Sequence, residues 1–133
     1  MKKNNQGKVI FYIVGVVVVA ALGYWYYDQQ KPGMYNNFAK CLGEKGAKFY
    51  GAFWCPHCQA QKALFGKSKE YLPYVECSTA DKKGRTQICI EENITSYTTW
   101  KFATASGTEV VSGEQTLAQL SEKTGCVIDA EVK

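Results

Sequence analysis

The sequence has no large excess of charge, no internal repeat, no low-complexity tract and no second Cys-x-x-Cys. The net charge of +4 sits mostly at one end: Lys2, Lys3, Lys8 and Lys31 against Asp28 leave +3 in the first thirty-one residues. Residues 32–133 hold twelve basic and eleven acidic side chains, a net +1, so no basic surface for nucleic acid follows. A lone Cys-x-x-Cys without a further ligand cluster cannot complete a closed metal site. Disorder is excluded too, because 46% hydrophobic and 14% aromatic residues suffice to fill a core. At 133 residues there is room for one domain and a short extra segment.

Charge is absent altogether from Val9 to Tyr27, nineteen residues rich in valine and isoleucine. That is about the length a helix needs to cross a bilayer. Lys2, Lys3 and Lys8 precede it, and Tyr24, Trp25, Tyr26 and Tyr27 form an aromatic belt at its far end. The positive-inside tendency puts residues 1–8 in the cytoplasm and the chain after Asp28 on the extracytoplasmic side of the cell membrane. A single-pass anchor at 9–27 is the favoured reading. A cleaved signal peptide is its rival, with Ala21-Leu22-Gly23 as a small-residue cleavage site. A short linker over 28–34, containing Pro32-Gly33, then leads to a domain over 35–133.

Six cysteines in a small exported domain point to an oxidising compartment. Two of them form Phe53-Trp54-Cys55-Pro56-His57-Cys58, between an expected strand (Ala47 to Phe53) and an expected helix running through Phe65 to a stop at Gly66. Pro56 suits a first helical turn, where its missing N–H costs nothing. A sulfur at a helix N-terminus has its thiolate stabilised by the dipole and by free backbone N–H groups, and only the thiolate attacks disulfides. Cys55 is therefore expected to be the exposed nucleophile, with Cys58 half-buried one turn later to resolve mixed disulfides. His57, when protonated, would favour the Cys55 thiolate, and Trp54 would pack as a lid beside the sulfurs. Of the other four cysteines, Cys77 and Cys89 are expected to form a structural bridge, with buried free thiols as the alternative. Cys41 and Cys126 could pair, but spacing does not fix connectivity.

Further along, a first helix is expected with Asn36 or Asn37 as its cap, burying Phe38, Cys41 and Leu42. A second strand covers Leu72 to Cys77, and a helical stretch carries Ile88, Ile90 and Ile94. Thr98 to Ala103 and Glu109 to Val111 read as a hairpin turning at Ser106-Gly107. Thr116 and Gln119 form a capping box for a last helix that closes at Gly125. The alternation fits an α/β fold, one sheet with helices on both faces.

Strand, Trp-Cys-x-x-Cys, helix and a later hairpin together resemble the thioredoxin fold over about Tyr35 to Cys126. Within it, Phe38-Ala39-Lys40-Cys41-Leu42, Tyr50 to Cys58, Gln61-Lys62, Phe65-Gly66-Lys67-Ser68 and Tyr74-Val75-Glu76-Cys77 resemble the thioredoxin-like domain that partners, or is fused to, bacterial vitamin K epoxide reductase homologues. The resemblance implies a central mixed sheet of about four strands behind the transmembrane helix, and no cofactor. It implies a thiol–disulfide oxidoreductase acting on client proteins with cysteines. A vitamin K epoxide reductase-like membrane partner would reoxidise Cys55–Cys58 and pass electrons to a quinone. Pro-His between the cysteines also resembles the periplasmic disulfide oxidants, which favours client oxidation; a reductase or isomerase is the alternative. A thiolate metal module on Cys55, Cys58 and His57 is the reading from a different class.

Two positions depart from the pattern. The acidic residue that thioredoxins bury six positions before the first cysteine is Phe49 here, and the cis-proline before the hairpin strand is Thr98. A non-proline cis bond costs about 2.5–4 kcal/mol, so a trans bond is expected there. Trp54, Pro56, Tyr97 and Thr98 are the expected substrate-binding residues, with the backbone of Tyr97 and Thr98 pairing with an extended client peptide.

Overall fold

A computed structural model describes residues 6–128. Lys2 and Lys3 of the basic flank, and residues 129–133 at the end of the expected domain, lie outside them. The described chain forms two units that divide after Lys31. In the first, α1 (Gln6–Gln30) is one continuous helix. It buries nothing within the protein and is long and apolar enough to span a membrane. It also runs through Asp28, Gln29 and Gln30, so the irregular connection is shorter than the 28–34 linker read from the sequence.

The second unit contains α2 (Asn36–Glu44), β1 (Lys48–Gly51), α3 (Pro56–Ala63), a 3-10 helix (Gly66–Tyr71), β2 (Tyr74–Glu76), α4 (Gln87–Glu91), β3 (Thr99–Thr104), β4 (Gly107–Ser112) and α5 (Leu117–Thr124). The strands lie in the order β2-β1-β3-β4. β1 runs parallel to β2 and antiparallel to β3, which pairs antiparallel with β4. This mixed sheet with helices is a thioredoxin-like α/β fold.

Strand alternation sorts the core into two clusters. Phe49 lies opposite Trp100, with Phe102 two residues on, so all three point to one face. Their rings stack, at 4.8 Å for Phe49–Trp100 and 5.8 Å for Trp100–Phe102. Phe38, Leu42, Phe65 and Leu120 complete that cluster. Tyr50 turns to the opposite face and packs with Cys77, Cys89 and Ile94. Phe49, at the position of the absent carboxylate, is thus an aromatic core residue.

Several boundaries differ from the expected ones. α2 begins at Asn36 with Tyr35 in the cap position and no side-chain cap bond; the Tyr35 N–H donates to Ser68 Oγ at 2.9 Å. β1 stops at Gly51, since the Cys55 N–H turns back to the Ala52 carbonyl. α3 ends at Ala63, and Phe65 leaves the helix to stack on Phe38 at 5.9 Å. The last helix follows the sequence to the residue: Thr116 and Gln119 exchange both capping-box bonds, and Gly125 closes it at φ 72°.

Candidate functional site

Cys55 takes the cap position of α3 with extended backbone (φ −75°, ψ 122°), and Pro56 begins the helix. Cys58 follows one turn later. Both are free thiols, while Cys77–Cys89 and Cys41–Cys126 are disulfides. Contrary to the expected exposed nucleophile, Cys55 is buried at 6% exposure. Tyr97, from a loop forty-two residues further on, packs against the cluster that holds it. Cys58 is deeper still at 1%, so Cys55 is the sulfur a partner reaches first.

Gly51 is the reason Cys58 can sit so close beneath the strand. A Cβ added there would lie 2.6 Å from Cys58 Sγ and 3.1 Å from the Tyr74 ring. Any larger residue would displace the sulfur or the ring. Burial pushes the Cys58 thiol up. The Thr98 hydroxyl, 3.3 Å from its sulfur, and a backbone contact with Ala52 pull it back down, while the neighbouring Cys55 raises it.

The Tyr97–Thr98 peptide bond is cis, where the sequence led us to expect trans. Thr98 is fully buried, with its hydroxyl on Cys58 and its carbonyl accepting the Gly113 N–H at 2.7 Å; packing on both sides fixes the residue. Thr98→Val should therefore slow attack by Cys58 on a mixed disulfide by about threefold to tenfold, because the thiolate loses a hydroxyl donor. Stopped-flow resolution of a preformed mixed disulfide measures this; an unchanged rate would remove Thr98 from the site.

Trp54 is exposed, at the rim of the site. Its indole N–H donates to Ser78 Oγ at 2.8 Å, and its ring meets Tyr97 edge-on at 6.0 Å. The Tyr97 hydroxyl reaches the Cys77 carbonyl at 3.4 Å, tying this rim to the Cys77–Cys89 bridge. Pro56 and His57 are exposed at the mouth of the site.

Sequence reasoning assigned no site role to four residues that build the surroundings. Glu114 accepts from His57 Nδ1 at 2.7 Å, which fixes the ring's orientation. Gln61, fully buried, pins the backbone of the next residue, Gln115: its Nε2 donates to the Gln115 carbonyl at 2.9 Å and its Oε1 accepts the Gln115 N–H at 2.6 Å. Glu76 anchors the loop before Cys55 by accepting from the backbone N–H groups of Phe53 and Ser78. Lys62 lies one turn beyond Cys58. Lys62 is close to Cys58 in the sequence, whereas Glu76, Gln61 and Glu114 reach Phe53, Gln115 and His57 across 23, 54 and 57 residues.

No protein-family model matches the chain. Over 95 residues, 68% of the chain, it is 43% identical to the thiol-disulfide oxidoreductase LTO1 of Arabidopsis thaliana. It is similar to one segment of a disulfide-exchange protein. The chain spans 24% of that relative's length, about a quarter. Among the described residues, no group of three or more His, Cys, Asp or Glu side chains is placed to hold a metal ion. What the arrangement can do is thiol–disulfide exchange: a reachable sulfur at a helix start, a second sulfur below it, and a hydroxyl to receive the second sulfur's charge.

Proposed function

We propose that this chain is a membrane-anchored, extracytoplasmic thiol–disulfide oxidoreductase that passes disulfides to client proteins. A vitamin K epoxide reductase-like, quinone-linked membrane protein would reoxidise it. The observation that carries the reading is the contrast among six cysteines: four are locked in two disulfides, while Cys55 and Cys58 remain a free pair at the start of α3. The similarity to a thiol-disulfide oxidoreductase supports the same chemistry.

In the oxidising direction, a client thiolate attacks Cys55 Sγ of the Cys55–Cys58 disulfide. A client–Cys55 bond forms and Cys58 leaves with the electron pair as a thiolate. A second client thiolate then attacks the client sulfur, closing the client disulfide and releasing Cys55. The pair is left reduced by two electrons, as two free thiols. Equilibration with glutathione tests the direction: a potential near −120 mV supports oxidation of clients, and one near −270 mV overturns it in favour of reduction.

The anchor rests on α1, whose exposed apolar residues would otherwise face water. The full-length chain should stay with membranes after alkaline extraction, and a membrane-impermeant maleimide should label Cys55 in intact cells. A shortened protein in the soluble fraction would overturn the anchor.

A further inference from the structure

We infer that Lys62 is the charge partner of Cys58, holding the thiolate's negative charge from the side where thioredoxins use a buried carboxylate. The inference rests on the exchange reading above and concerns its second sulfur. Three observations carry it. Residues four apart on a helix share a face, so Lys62 and Cys58 project together from α3. The Tyr74 ring links them: its edge and Cys58 Sγ flank the same space left by Gly51, 3.1 Å and 2.6 Å from where a Cβ would stand, and Lys62 Nζ lies 3.2 Å from the ring centroid, a cation–π contact. Phe49 supplies no carboxylate in its place.

The neighbouring groups are committed elsewhere. Tyr74 donates its hydroxyl to Glu76 Oε2 at 2.7 Å, and burial followed by that carboxylate pushes the phenol far up, so it stays neutral. Glu76 Oε1 is occupied by the N–H groups of Phe53 and Ser78. The other charged or titratable groups facing the pair are Cys55 at the start of α3, Lys69 of the 3-10 helix and Tyr97 of the loop before β3. Burial lowers Lys62 from the usual lysine range, the negative charges of Glu76 and Cys58 oppose this, and Lys69 adds to it. The lysine therefore sits where a thiolate below it is a welcome counter-charge. It also lines an open cleft of about 710 Å³ with Lys69, Glu70 and Tyr74.

During client oxidation Cys58 departs as a thiolate, and the Lys62 ammonium offsets the charge formed in a buried place. In the reverse direction the same ammonium favours loss of the Cys58 proton before attack. Neither step consumes the lysine.

The test uses the full-length protein in detergent, with Cys55→Ala leaving Cys58 as the lone free thiol. Thiolate absorbance against pH, as a difference from the variant lacking both thiols, gives the Cys58 midpoint. Lys62→Met should raise that midpoint by about one pH unit, tenfold less thiolate below it, and Lys62→Arg should restore it. An unchanged midpoint in Lys62→Met, or equal shifts in both variants, overturns the inference. Circular dichroism verifies the fold, and Lys62→Gln replaces Lys62→Met if the latter does not fold. Oxidation of a dithiol peptide by the wild-type protein is followed in parallel. Its absence would overturn the proposed function, whereas normal oxidation with an unmoved Cys58 midpoint would overturn the role of Lys62 alone.

Discussion

Cys58→Ala should hold client proteins on Cys55 as stable mixed disulfides, and Cys55→Ser should hold none. Both variants should lose client oxidation by on the order of a thousandfold or more, since removing a nucleophile or its resolving partner removes a covalent step outright. The asymmetry follows from depth. Cys55 retains 6% exposure against 1% for Cys58, so a partner meets Cys55 first and only an internal attack reaches the bond from below. In Cys58→Ala that attack is gone, and solvent thiols must approach past Trp54, Tyr97 and Pro56. The alanine leaves a small void under the sheet, worth about 1 kcal/mol, so the fold survives the substitution. Trapping in cells followed by non-reducing electrophoresis and mass spectrometry measures the outcome. Equal trapping by both variants, or turnover by either, would refute the assigned roles.

How far the sequence led to this site depends on the distance between partners. The motif, the strand before it and the helix after it are local, and so is the capping box of Thr116 and Gln119, which the structure reproduces with Gly125 in the left-handed conformation. The hairpin turn was equally local, with Gly107 at φ 137° starting β4. What escaped were contacts whose two halves lie far apart. Thr98 meets Cys58 across 40 residues, Glu114 meets His57 across 57, and Gln61 grips Gln115 across 54. No periodicity marks such pairs: Cys58, His57 and Thr98 stand out singly in the sequence, but nothing local joins them to their partners. Gly51 escaped for another reason: in a strand it read as part of the approach to the motif, and only the packed sulfur beside it shows why a side chain is forbidden. The burial of Cys55 has the same origin, since Tyr97, packed beside it, belongs to a loop that local sequence cannot place.

Loss of the Cys41–Cys126 bridge should cost more stability than loss of Cys77–Cys89. Cys41 sits on α2 and Cys126 directly follows the Gly125 cap of α5, so this bond ties together residues 85 apart; Cys77 and Cys89 are separated by 12. Cross-linking removes more freedom from the unfolded chain as the loop lengthens, which puts the long bridge at about 4.5 kcal/mol and the short one at about 3 kcal/mol. Against a typical domain stability of about 5–15 kcal/mol, the first loss brings the protein near the edge of unfolding at growth temperature. Denaturant titrations of Cys41→Ala/Cys126→Ala and Cys77→Ala/Cys89→Ala, both kept non-reducing, should differ in that order. The reverse order would mean that the Cys77–Cys89 bridge acts through native packing, by holding Tyr97 against the Cys77 carbonyl, and that chain entropy is the lesser contribution.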